Sequence, residues 1–136
     1  MKKGIIVVVV FAFNWANSQT QATLDSIATD YKACIARTAD KVNCTKELYW
    51  VYQDVETQFY FKSTQKLDAT TKHAKDIEEG KWVDSKYYHF SVAYLNFKKK
   101  HPKQEITEPT KDGENDAYLT FKSIAEYILL HIKELM

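Results

Sequence analysis

Residues 67–90 read LDATTKHAKDIEEGKWVDSKYYHF. Leu67, Thr70, Ala74 and Ile77 recur at three- and four-residue steps. After Trp82 the row continues through Val83, Tyr87 and Phe90 to Tyr94 and Phe97. That period is helical. Gly80 interrupts it at a cost of about 1 kcal/mol relative to alanine, which need not end a helix. The segment is therefore either one very long helix or two helices joined near Gly80. The basic run Lys98, Lys99 and Lys100 suits a helix C-terminus. Pro102 forbids much helix beyond it.

Working outward, residues 44–61 (CTKELYWVYQDVETQFYF) form the helix on which this segment is expected to pack. Leu48, Tyr52 (or Val51), Val55 and Phe59 make an inward stripe. Tyr49, Trp50, Tyr60 and Phe61 widen it, which predicts a central helix touched from more than one side. Asp54 within it reads as a hydrogen-bonded, half-exposed carboxylate in preference to a functional group. Upstream, Leu24, Ile27, Ala28, Tyr31, Cys34 and Ile35 share one helical face, with Thr23 as the expected cap. Asp40 or Asn43 is placed to cap the second helix. Downstream, residues 102–114 (PKQEITEPTKDGE) hold both prolines. A loop this long in a small domain is often functional or disordered. Asn115 or Asp116 is the expected cap of a last helix with Tyr118, Phe121, Ile124 (or Ala125), Ile128, Ile132 and Leu135 inward. Nine Tyr, seven Phe and three Trp against three Gly and two Pro argue against a turn-rich β-fold. The expected fold is all-α, a small bundle of about four helices.

The first 18 residues read as a separate object. Lys2 and Lys3 precede an apolar run from Gly4 to Phe13. Ala16-Asn17-Ser18 supplies the small residues of a cleavage site ahead of Gln19. This is the pattern of a secretory signal peptide, leaving a single helical domain over residues 19–136, about 118 residues. Without Lys2 and Lys3, the 19 basic residues fall to 17 against 18 acidic ones, a net charge of −1. That balance gives no electrostatic case for nucleic acid or an anionic membrane surface, and no membrane anchor is expected after cleavage. In an oxidising compartment Cys34 and Cys44 are expected to pair. The bridge would staple the N-terminal helical hairpin and contribute about 2–3 kcal/mol. A reactive thiol is the competing reading.

The chain carries no HExxH, CxxC, GxSxG or glycine-rich phosphate loop. His73, His89, His101 and His131 are far apart. His73 and Asp76 stand one turn apart, where a solvated helix face is the plainer reading than a metal site. His89 reads as a packing residue. Glu47, Glu78 and Glu79 have no visible partner for paired-carboxylate chemistry. Trp82 and Lys86 share a face, as a core anchor with a lysine snorkelling from it or as part of a partner-binding patch. No catalytic residue, metal ligand or cofactor is read from the sequence, and an enzyme is not expected.

The two central stretches resemble the lysozyme inhibitor LprI N-terminal domain family of exported bacterial proteins. Cys44, Tyr49 and Asp54 stand at the family's steps, with Thr57-Gln58 for its Leu-Asn pair and Phe61 for the following Tyr. Leu67 to Trp82 keeps its fifteen-residue step. Glu79 stands where Gln is usual, Lys86 where Arg is usual, Phe90 where a second cysteine is common, and His131 where Arg is common. The resemblance implies an exported, periplasmic or secreted, helical binding protein. It further implies inhibition of a lysozyme-type muramidase by occlusion. Loop length and local charge, read from the residues themselves, make Lys98, Lys99, Lys100 and Lys103, just before and within the 102–114 loop, the candidate partner-binding residues. The alternative is an envelope or secreted interaction domain, immunity-like, with no action on lysozyme.

Overall fold

The computed structural model describes the backbone from residue 2 and the side chains from residue 18 onward. Four helices run in order: α1 (Lys2–Arg37), α2 (Lys41–Thr64), α3 (Ala69–Lys100) and α4 (Glu114–Leu135). The expected signal peptide, residues 1–18, falls on side chains that lie almost wholly outside the described residues. Among the described residues no helix is long and apolar enough to cross a membrane.

α1 starts well before Leu24, so Thr23 does not cap it. Thr23 Oγ1 instead donates to the Gln19 carbonyl inside the helix, 2.9 Å away. No proline stands between residues 2 and 37 to stop the helix earlier. Asp40 caps α2 by accepting the Asn43 N–H at 3.0 Å. The Cys34–Cys44 disulfide closes the α1–α2 hairpin, with Cα atoms 5.9 Å apart. Beside it Tyr31 Oη and Thr45 Oγ1 lie 3.0 Å apart, and the same Thr45 hydroxyl contacts the Lys41 carbonyl at 2.7 Å.

α2 packs against both α1 and α4, and α3 packs chiefly on α4. The core is therefore shared between α2 and α4. Leu24, Leu48, Tyr52, Ile124, Ala125, Ile128 and Ile132 form its main cluster. Val42, Phe97, Ile106, Ala117 and Phe121 form a second one toward the 102–114 loop.

α3 is a single helix through Gly80, capped by Asp68, which accepts the Thr71 N–H at 2.9 Å. Its first half does not pack as the sequence predicts: Thr70, Ala74 and Ile77 are exposed. Tyr87 is exposed too, but Val83, Phe90, Tyr94 and Phe97 face inward as expected, and the inward row also takes in Glu79, Trp82, Lys86 and Ala93. α4 begins at Glu114 with Gly113 at its N-cap position and no side-chain cap. Asp116 turns instead to His101 Nε2, 2.8 Å away. Gly113 is packed against Gln104, whose side-chain oxygen a Cβ at 113 would displace. Gln104 is held in that place by the Thr110 N–H at 3.0 Å and by Asp112 at 3.1 Å.

Candidate functional site: a buried Glu–Glu–His cluster

Three helices each supply residues at one-turn spacing to a common point. α2 gives Gln53, Glu56 and Tyr60; α3 gives Glu79, Trp82 and Lys86; α4 gives Tyr127, His131 and Glu134. Residues three, four or seven apart on a helix face the same way, so each trio converges on its neighbours.

His131 is the hub. Its Nε2 lies 2.9 Å from Glu79 Oε2 and 3.6 Å from Glu56 Oε1, and its Nδ1 lies 3.8 Å from Glu134 Oε2. Its ring stacks on Trp82 at 3.8 Å between centroids, with planes 8° apart. Trp82 in turn stacks with Tyr127, which stacks on His89. His89 Nε2 lies 3.1 Å from Ser123 Oγ, and Tyr127 is hydrogen-bonded to Ser85. His89 is thus a packing residue.

Glu56 is the unusual member. It is 3% exposed, and its Oε1 is buried without a hydrogen-bond partner among the described residues. Burial pushes its carboxyl up to about 8, with hydrogen bonding and charge from Glu79 adding to the rise and Lys86 opposing it. Lys86 is 6% exposed. It does not snorkel; its ammonium donates to Gln53 Oε1 at 2.7 Å and sits 5.2 Å from the Trp82 ring centroid and 5.0 Å from that of Tyr87. Burial lowers its pKa, and the charges of Glu56 and Glu79 pull the other way.

The other predicted residues lie elsewhere. Asp54 is exposed on α2, Tyr49 stacks on Phe90, and Leu67 is half-buried before α3. Asp76 is hydrogen-bonded to one residue on its own helix and to one on α2. It accepts from Tyr60 Oη and from Lys72 Nζ, each at 2.7 Å, and those contacts hold its carboxyl below the usual range. Of the candidate partner-binding lysines, Lys98 donates to the Gln104 carbonyl at 2.8 Å and Lys100 lies 3.7 Å from Asp116. Lys99 and Lys103 are exposed. The 102–114 loop is anchored by buried Ile106.

Sequence reasoning overlooked Glu56 and did not connect Glu79 with His131. The available signal was a carboxylate on the inward stripe itself, four residues after Tyr52 and three before Phe59. Glu79, Lys86 and His131, widely separated in sequence, all meet here. No protein-family model, curated protein or solved structure matches the chain.

Proposed function

We propose that the protein is an exported binding module that acts by surface contact, and that it occludes the cleft of a lysozyme-type muramidase. The observation that carries this reading is a second apolar stripe on α3. Tyr88, Val92 and Leu95 follow one another at four and three residues, on the side opposite the inward row. Tyr88 is 74% and Leu95 63% exposed. A helix that is apolar on its outer side as well as its inner one has surface to offer a partner. Lys99 continues the stripe by one turn and Lys103 stands just past the helix end. Such cations complement a cleft that holds two catalytic carboxylates. The bridged Cys34–Cys44 pair supports export, since such a bond persists in oxidising compartments.

The test is a titration of the oxidised protein against several lysozyme-type muramidases, reading inhibition and direct binding together. Saturable, stoichiometric inhibition is expected. It should weaken at least about tenfold in Tyr88→Ala/Leu95→Ala, since exposed aromatic anchors dominate interfaces. Lys99→Ala should slow association, whereas Lys100→Ala should act mainly on the Asp116 contact. Absence of binding to every muramidase would overturn the reading. The stripe then favours the alternative, an envelope or secreted interaction domain whose partner is found by crosslinking in the native envelope.

A further inference from the structure

We propose that Glu56, Glu79 and His131 form a site for one divalent transition-metal ion of the zinc type. One donor atom from each residue can be chosen so that all three lie within 4.8 Å of one another. A tetrahedral ion with bonds of 2.0–2.1 Å separates its ligand atoms by about 3.3 Å. The 2.9 and 3.6 Å distances from His131 Nε2 to the two carboxylates bracket that value, so His131 needs little adjustment toward either.

The ligand chemistry follows from the donors. Two carboxylate oxygens and one imidazole nitrogen suit zinc, cobalt, nickel or manganese, whereas calcium and magnesium prefer an all-oxygen shell. Three protein ligands leave a fourth position for water or another donor.

A buried cluster of acids alone would not make a site. The independent observation is the orphaned Glu56 Oε1, which lies in the protein interior with no hydrogen-bond donor and points at His131. Contacts of Glu79 with His131 and with the Glu56 carboxyl still leave Glu56 Oε1 without a hydrogen-bond partner among the described residues. An ion between the three serves all of them. The surroundings fit as well. Glu134 near Nδ1 is placed to orient the imidazole from behind, and Trp82 fixes the ring plane. The ammonium of Lys86 is directed to Gln53, and the cluster's two carboxylates outnumber it. Glu79 and His131 keep 13% and 12% of their side chains exposed, which gives an ion a way in. This inference is independent of the muramidase reading.

The experiment is zinc titration of the purified, metal-stripped, oxidised protein by calorimetry. Cobalt absorption and thermal unfolding would be followed in parallel. One zinc per chain is expected, with visible cobalt bands of a four- or five-coordinate ion and a raised Tm. Glu56→Gln keeps the shape of the protonated side chain, so it should fold. It should bind zinc at least about tenfold more weakly, as should His131→Gln. His73→Gln and His101→Gln should bind as the parent does. Failure to bind zinc, unaltered binding in folded Glu56→Gln, or equal binding of magnesium or calcium would each overturn the proposal.

Discussion

Lys86 stands one helical turn beyond Trp82, and a lysine at that spacing ordinarily lays its stem on the ring and sends its ammonium to water. Here the ammonium is turned inward, because Gln53 on α2 offers an acceptor and Glu56 and Glu79 offer charge. Neither Gln53 nor Glu56 is near Lys86 in sequence, so the choice between the two rotamers was not legible there. Trp82 holds this arrangement by stacking on His131 and Tyr127. Trp82→Ala is expected to cost about 3 kcal/mol in urea unfolding, near the low end for a packed aromatic. A loss under 1 kcal/mol would show the stack to be incidental. Thr45 makes a second residue-scale case. It is fully buried, and its hydroxyl serves both Tyr31 and the Lys41 carbonyl. Thr45→Val should cost about 1–2 kcal/mol. It should cost less in a Tyr31→Phe background, because the shared bond is then already gone. Additive losses would mean that the two hydroxyls do not interact.

α3 shows how far periodicity carries at the scale of an element. Its three- and four-residue rhythm is helical throughout, and a helix results. The rhythm does not say which half finds a partner. Residues 69–78 extend where α4 offers them no apolar cover, so Ala74 and Ile77 face solvent. Gly80 sits in this helix without positive φ, and a Cβ there would meet nothing within 4 Å. Gly80→Ala should therefore raise stability by about 0.5–1 kcal/mol. A decrease in the midpoint of denaturant unfolding would contradict that. Asp68→Ala removes the cap of the same helix, a change ordinarily costing about 1 kcal/mol. Because the first half of α3 is thinly packed, the loss should appear as faster hydrogen exchange over residues 69–78, with a smaller change in global unfolding. The length of the 102–114 loop predicts function or disorder; of the two, disorder does not hold, because Ile106 drops into the second core cluster and His101 reaches Asp116.

At the scale of the whole molecule, acid should unfold the bundle through carboxylates held ionised. The Asp116 carboxyl lies below its usual value, chiefly because His101 hydrogen-bonds to it; that of Asp68 is lowered by the Thr71 N–H. For a depressed carboxylate the stabilisation is fully present above the unfolded pKa and is lost as pH falls through the folded one. The part contributed by Asp116 and Asp68 should hold above about pH 4 and decline below it. The raised carboxyl of Glu56 acts in the opposite sense and lowers stability as pH rises from 4.5 toward about 8. Asp116→Asn should flatten that acid limb without altering its direction. An unchanged pH profile would remove Asp116 from the account. The disulfide acts on the same scale. Its reduction should lower global stability by about 2–3 kcal/mol, since it closes a short loop between two helices already in contact.

Local pattern alone points to about four helical segments, an expected pairing of the two cysteines, a cap at Asp40 or Asn43 and the inward face of α4. Each depends on local period, a nearby partner or the lack of any other candidate. Only the tertiary structure decided that α4 shares the centre with α2, that half of α3 goes uncovered, and that Lys86 is buried. It alone brought Glu56, Glu79 and His131 together, because helix-face spacing orients a side chain but does not choose the helix it meets. That choice depends on how three helices cross, and the crossing is set by the summed packing of the core around Ile124, Ile128 and Ile132.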